Sequence, residues 1–315
     1  MTPSEPARSR EKPSRPGAAA TVPWSAVAPE LRGRVRWVPR LPLERAWVRR
    51  LVRAASARTR PPSLPDVTVE LRPGLRVYRP RTPRSRRTLL WIHGGGLVIG
   101  GAAQDDRFCA GTAAGLGITV VSAEYRLAPE HPYPAALEDC HAAWTWLRGH
   151  VAAEQVVVGG QSAGGGLAAA LVQRLHDEGE RPRAQWLFCP MLDDRTAARR
   201  GLDTAGHRVW DNRLNRFGWR AYLGTEPGAP VVPLYAVPAR RDDVTGLPET
   251  WIGVGDIDLF HDEAAEYARR LRAAGVATTF HVVPGGPHGF EAWAPSSELS
   301  RRYLAAARAW LGRLR

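Results

Sequence analysis

From residue 88 onward, short runs of β-branched and aliphatic residues alternate with longer stretches in which apolar side chains return every three or four positions. The short runs predict strands at 88–92, 118–122, 155–158, 186–189, 251–254 and 278–283, and the longer stretches predict helices at 135–148, 163–175, 262–274 and 297–314. Regular alternation of this kind covers both faces of a mostly parallel sheet with helices, an α/β architecture whose chemical groups gather at the carboxyl ends of the strands. Upstream the pattern differs. Val67, Val69 and Leu71, then Leu75, Val77 and Tyr78, stand between Pro and Gly breaks and predict an opening antiparallel hairpin. Earlier still, Leu43, Trp47, Leu51 and Ala55 recur every four positions among arginines, which predicts a helix over 43–55 with an apolar face that needs a surface to cover.

One interval breaks the alternation. Residues 192–247 contain Trp210, Phe217, Trp219 and Tyr222 amid arginines and prolines, with no clear strand. An insertion of that length is seldom idle loop, and it reads as a helical cap, about 193–247, over a site on the sheet. With 315 residues the chain buries one full core. The organisation expected is a basic lead at 1–20 whose Pro, Ser and Arg content keeps it disordered, N-terminal cap helices within 21–60, and one large α/β domain from 61 to 315 carrying the cap insertion.

A net charge of +13 suggests an anionic partner until its location is considered. Residues 1–60 carry +10 and residues 61–87 carry +5, which leaves −2 for the rest of the chain. Every motif described below lies in that near-neutral remainder, so no nucleic-acid partner is expected for the site. Cys109, Cys140 and Cys189 form no Cys-x-x-Cys pair, so neither a zinc site nor a redox pair is expected. No apolar run is long enough for a signal peptide or a membrane span, so a cytoplasmic protein without a membrane span is expected. A homo-oligomer is compatible with these features.

Gly160-Gln161-Ser162-Ala163-Gly164 joins an apolar strand to a helix of Ala and Leu. A serine on so sharp a turn needs small neighbours, and this context marks Ser162 as a candidate nucleophile. His93-Gly94-Gly95-Gly96 follows the strand at 88–92; the amides of Gly94 and Gly95, joined by that of Ala163, are candidate donors to an oxyanion. Of nine histidines, His288 lies on a loop beyond the last strand and is the candidate base, whereas His281 falls inside that strand, His261 beside the acid region, and His131, His141, His150, His176 and His207 in loop or helix surface. The acid that orients it should end the preceding strand, where Gly255-Asp256-Ile257-Asp258 offers two carboxylates. Asp256, in the first turn after the sheet, is placed to bond its own backbone, and Asp262-Glu263 to cap the following helix.

These motifs resemble the bacterial hormone-sensitive lipase-like esterases, a branch of the α/β-hydrolase fold. The resemblance runs from about residue 88 to the C-terminus and rests on the triple glycine after His93, on Tyr125-Arg126-Leu127-Ala128-Pro129-Glu130 with His131-Pro132-Tyr133-Pro134-Ala135-Ala136, on the turn at Ser162, on Asp258 with Asp262-Glu263, and on His288-Gly289-Phe290. It implies an esterase without metal or cofactor that acts on small to medium acyl esters through Ser162, His288 and Asp258, the acid being Asp258 by its spacing to Asp262. Leu97, Trp210, Phe217 and Trp219 are the substrate contacts it suggests. Two departures stand out: Gln161 replaces the usual Asp before the nucleophile, and Asp258-Leu259-Phe260 replaces the usual Asp-Pro-Leu. An acyltransferase would use the same residues. A ligand-binding relative of this fold, like the plant gibberellin receptors, would lack the histidine that this chain retains.

Overall fold

The computed structural model describes residues 21–57, 61 and 66–314; the basic lead at 1–20 lies outside the described residues. An eight-stranded sheet forms the centre. Its strands are β1 (Val67–Arg72), β2 (Leu75–Pro80), β3 (Thr88–Ile92), β4 (Thr119–Ala123), β5 (Val156–Gln161), β6 (Ala184–Phe188), β7 (Glu249–Gly255) and β8 (Thr278–Val283), in the spatial order β1-β2-β4-β3-β5-β6-β7-β8. β1 and β2 form the expected hairpin and β2 runs antiparallel to β4; every later pair is parallel. The chain is an α/β protein with a mostly parallel sheet, as its alternation predicts.

Helices α1 (Pro29–Val35), α2 (Ala46–Ala57), α3 (Asp106–Leu116), α4 (Ala135–Arg148), α5 (Ala163–Asp177), α6 (Asp194–Ala198), α7 (Asn212–Leu223), α8 (His261–Ala273), α9 (Phe290–Trp293) and α10 (Glu298–Arg313) surround it. Successive strand residues point to opposite faces, and both faces are apolar. Leu90, Ile92, Val156, Val158, Leu187 and Ile252 pack with α4, α5 and α8, while Leu89, Trp91, Val157, Trp186, Phe188 and Trp251 pack with α3 and α10. The second layer is aromatic: Trp186 has Phe188, Phe108 and Trp91 at ring separations of 4.6, 5.8 and 5.9 Å. Sequence reading overlooks α3 because its residues facing the sheet are Cys109, Ala110 and Ala113, too small to mark an apolar stripe, yet small enough to fit against Trp-rich strands.

The helix expected over 43–55 begins three residues later, at Ala46, and docks through a different face. Trp47 and Leu51 are 58% and 63% exposed, whereas Val48 and Arg49 are buried. Arg49 donates to the carbonyls of Leu43 and Glu44, and Arg53 donates to those of Val98 and Ala128 and pairs with Glu130 at 2.9 Å. Arginine stems cover apolar surface while their heads find fixed oxygens, so Arg49 and Arg53 face inward while Arg50 and the largest apolar side chains, Trp47 and Leu51, face outward. The insertion at 192–247 holds α6, α7 and two 3-10 turns, Arg200–Thr204 and Pro238–Arg240, and no strand among them. Arg49 of α2 lies 5.4 Å over the ring of Phe217 in α7, and α1 packs instead with the α3 and α10 layer.

Trp91 donates its indole N–H to Asp105 at 2.8 Å, deep in the aromatic layer, and burial pushes that carboxyl up to about 7. In the unfolded chain Asp105 ionises in the ordinary carboxylate range near pH 4, so between there and about 7 the folded state holds a proton the unfolded state has lost. Stability from this group is full below that window and declines as pH rises through it. Asp105→Asn keeps an acceptor for Trp91 and removes the titration. Urea unfolding at pH 5 and pH 8 should show a smaller loss on going to pH 8 than in the wild type; an unchanged difference would show that Asp105 ionises normally.

Candidate active site

β5 turns into α5 through Ser162, which has φ 56° and ψ −121°, a backbone conformation that side chains rarely adopt. The turn closes because α5 starts hard against β3: a Cβ on Gly164 would fall inside the carbonyl oxygens of Ile92 and His93. Ser162 N–H donates to Phe188 O at 2.8 Å, fixing the turn to the end of β6. The hydroxyl therefore projects from the carboxyl end of the sheet.

His288 sits on the loop between β8 and α9 and reaches Ser162 Oγ with Nε2 at 2.8 Å. Its Nδ1 lies 2.8 and 3.0 Å from the two oxygens of Asp258, on the loop after β7. All three residues are buried. Phe260 stands edge-on to the imidazole at 5.1 Å, and His288 O accepts the indole N–H of Trp293 at 2.9 Å. Asp256, the competing carboxylate, turns elsewhere: Oδ1 accepts Gly285 N–H at 2.7 Å. The turn chemistry expected of Asp256 belongs to Asp258, which accepts Phe260 N–H at 2.9 Å while holding the histidine. Glu263 does not cap α8 either. Its Oε1 accepts the N–H groups of Leu192 and Asp193, at the start of the insertion.

Gly94 lies beside Ser162, where a Cβ would stand 3.4 Å from Ser162 Cβ. Gly95 follows it on the loop, and Ala163 opens α5. The loop is braced from behind by the segment at 125–136. Tyr125 Oη donates to His93 O at 2.9 Å and Ala128 N–H to Leu97 O at 2.9 Å. His93 stacks on Tyr125 at 4.1 Å, and its Nδ1–H faces Gly94 O at 2.8 Å. Burial depresses its pKa to about 4, so it serves as a neutral strut.

Trp210 reaches the same loop, its indole against Gly96 and 6.4 Å from the ring of His288. Leu97 and Trp219 line a cavity of only about 10 Å³ together with Ala163, Met191 and Tyr222. Phe217 is engaged by Arg49 and is absent from that lining. A larger cavity of about 810 Å³ is bordered by Thr196, Leu202, His207 and Asp258; Ser162 is in the lining of neither cavity. Two polar residues that sequence reasoning left without a partner meet here: Gln161 donates Nε2–H to buried Glu291 at 2.6 Å. Cys189 is also close, with its sulfur within 4.8 Å of both Asp258 and His288.

Residues 89–292 match the family described as alpha/beta hydrolase fold. The chain belongs to the α/β-hydrolases, in their hormone-sensitive lipase-like esterase branch. Carboxylic ester hydrolase LipN of Mycobacterium tuberculosis is 34% identical over 255 residues, 76% of this chain and 67% of that one. Carboxylesterase NlhH of the same organism is 34% identical over 281 residues, 81% of this chain and 86% of that one. Among solved structures, a bacterial heroin esterase superposes with a TM-score of 0.83 at 36% identity over 93% of this chain and 99% of that one. An esterase from the bacterial hormone-sensitive lipase family gives 0.74 at 30% identity over 92% and 99%. The α/β-hydrolase described here is thus an ester-hydrolysing enzyme, a carboxylesterase. Among its described residues no helix is long and apolar enough to cross a membrane.

The geometry separates the two carboxylates. Asp258→Asn keeps the shape of the side chain but withdraws the charge opposite Nδ1, and turnover should fall by up to about ten-thousandfold, the loss seen for such a change in a serine protease. Asp256→Asn should leave turnover within a few-fold, since an amide oxygen can still accept Gly285 N–H. Ester hydrolysis at matched circular dichroism distinguishes them; the reverse ranking would move the acid to Asp256.

Proposed function

We propose that this α/β-hydrolase cleaves small acyl esters by nucleophilic catalysis, with Ser162 as nucleophile, His288 as general base and acid, and Asp258 as the group that orients it. The observation that carries the reading is the unbroken run from Ser162 Oγ through His288 to Asp258, with 2.8 Å at each junction. As Oγ attacks the ester carbonyl, Nε2 takes the hydroxyl proton and the new positive charge sits against Asp258. The carbonyl oxygen becomes an oxyanion for the amides of Gly94, Gly95 and Ala163. Collapse breaks the bond to the alcohol oxygen, which leaves with the proton from Nε2. A water molecule, deprotonated by His288, then attacks the acyl-Ser162 ester, and the acid departs as the serine regains its proton.

The preference for small acyl groups is supported by how little space is left beside Ala163, the residue after Ser162. About 10 Å³ between Leu97, Met191, Trp219 and Tyr222 holds roughly one water-sized group, and Trp210 closes the glycine loop from the insertion side. Leu97, Trp210 and Trp219 are therefore the substrate contacts proposed; Phe217 acts through Arg49.

A phosphonate ester should label Ser162 and abolish turnover, and Ser162→Ala should be neither labelled nor active; a mass-spectrometric adduct elsewhere would overturn the nucleophile. Across p-nitrophenyl esters from acetate to laurate, kcat/KM should fall as the chain lengthens. Trp219→Ala should shift the preference toward longer chains, and a wild type that favours laurate would show that this cavity does not receive the acyl group.

A further inference from the structure

Gln161 occupies the position immediately before the nucleophile, and its carboxamide is wedged between three elements. Oε1 lies 3.5 Å from where a Cβ on Gly94 would stand, Nε2 lies 3.7 Å from the same point on Gly289, and Nε2–H donates to Glu291 Oε1 at 2.6 Å. Gly94 belongs to the oxyanion loop, whereas Gly289 and Glu291 follow His288 directly. One amide thus links the nucleophile turn to the segment that carries the base, with the oxyanion loop against its other side. Glu291 is 6% exposed, and it borders a cavity of about 300 Å³ behind the turn that is shared with Asp105, Arg107 and Arg308.

We propose that Glu291, held by Gln161, is a positioning residue of the esterase: it fixes the His288 loop against the nucleophile turn and places a second carboxylate, beside Asp258, in the field of the imidazolium. A buried carboxylate persists where its oxygens are held by donors, and Gln161 supplies one at short range. Burial drives the Glu291 pKa upward, while the Gln161 amide and His288 pull it back. The charged and titratable groups around it are His288 on its own loop, Asp258 after β7, Cys189 after β6, Asp105 before α3 and Tyr303 on α10, with the two arginines at the cavity. Gln161 also accounts for the departure at this position. An aspartate there would confront Glu291 with a second carboxylate, and one of the two would have to carry a proton.

The inference rests on the role proposed for His288, and the experiment separates the two. Glu291→Gln preserves size and an acceptor for Gln161 but removes the charge. We expect kcat to fall about tenfold, in the range of a broken buried network, with KM little changed. The acid limb of kcat/KM should move down by about one pH unit as the imidazolium loses a neighbouring anion. Gln161→Glu should stay active at pH 6, where the two carboxyls share a proton, and lose activity by pH 8. The double variant Gln161→Glu with Glu291→Gln restores one donor and one acceptor and should recover activity at pH 8. A double variant no better than Gln161→Glu, or a Glu291→Gln enzyme with wild-type kcat and pH profile, overturns the proposal. Should Gln161→Glu fail to fold by circular dichroism, the Glu291→Gln profile decides alone. Failure of phosphonate to label Ser162 in the wild type would instead overturn the nucleophile assignment on which this one depends.

Discussion

Ser162 has a backbone conformation that costs a non-glycine residue about 1–3 kcal/mol, and the architecture around it is what holds it there. Helix α5 presses its first glycine turn onto the carbonyls that end β3. Because β5 lies between β3 and β6 in the parallel sheet, the turn is also fixed from the other side, by Phe188 O. The same contact brings the glycine loop after β3 beside the serine. Relaxing the turn would therefore displace the Ser162 hydroxyl and the glycine loop relative to each other.

His288 and Asp258 arrive at the same carboxyl end of the sheet, on the loops after β8 and β7, which are parallel neighbours. Parallel pairing places successive strand ends on one edge, so residues separated by 126 and 30 positions in the chain meet at hydrogen-bond distance. All three are buried; in a site shielded from water a positive charge on the imidazole would be held by Asp258 more strongly than in solvent, and Phe260 and Trp210 lie against that ring. Several arginines serve the fold, such as Arg240 paired with fully buried Asp194 at 2.7 Å inside the insertion.

Departures from the expected pattern have local explanations. Helix α2 faces inward with arginines because fixed carbonyls of Val98 and Ala128 and the carboxylate of Glu130 outbid an apolar stripe that meets no complementary surface. Glu263 was placed by composition at the start of a helix, yet its carboxylate serves the backbone of another segment, since the insertion leaves β6 at that point and exposes two N–H groups. Both cases reflect polar groups whose partners are distant in sequence. Local reading assigns such groups the nearest available role, and tertiary packing gives them another.

What the sequence determined by itself is the part governed by short-range rules. Periodicity set the strands and most helices, because one buried face repeats every two or every 3.6 residues. The Gly-Gln-Ser-Ala-Gly turn, the triple glycine and the late histidine were legible because each needs a particular residue at a particular backbone position. Only the tertiary structure shows what Asp256 and Asp258, two residues apart, face: one is turned toward Gly285 and the other toward His288. It alone paired Gln161 with Glu291 across 130 positions and set Phe217 under Arg49 while Trp210 reached the glycine loop. Those relations depend on which loops share an edge of the sheet and on how an irregular insertion folds back over it, and neither leaves a periodic trace along the chain.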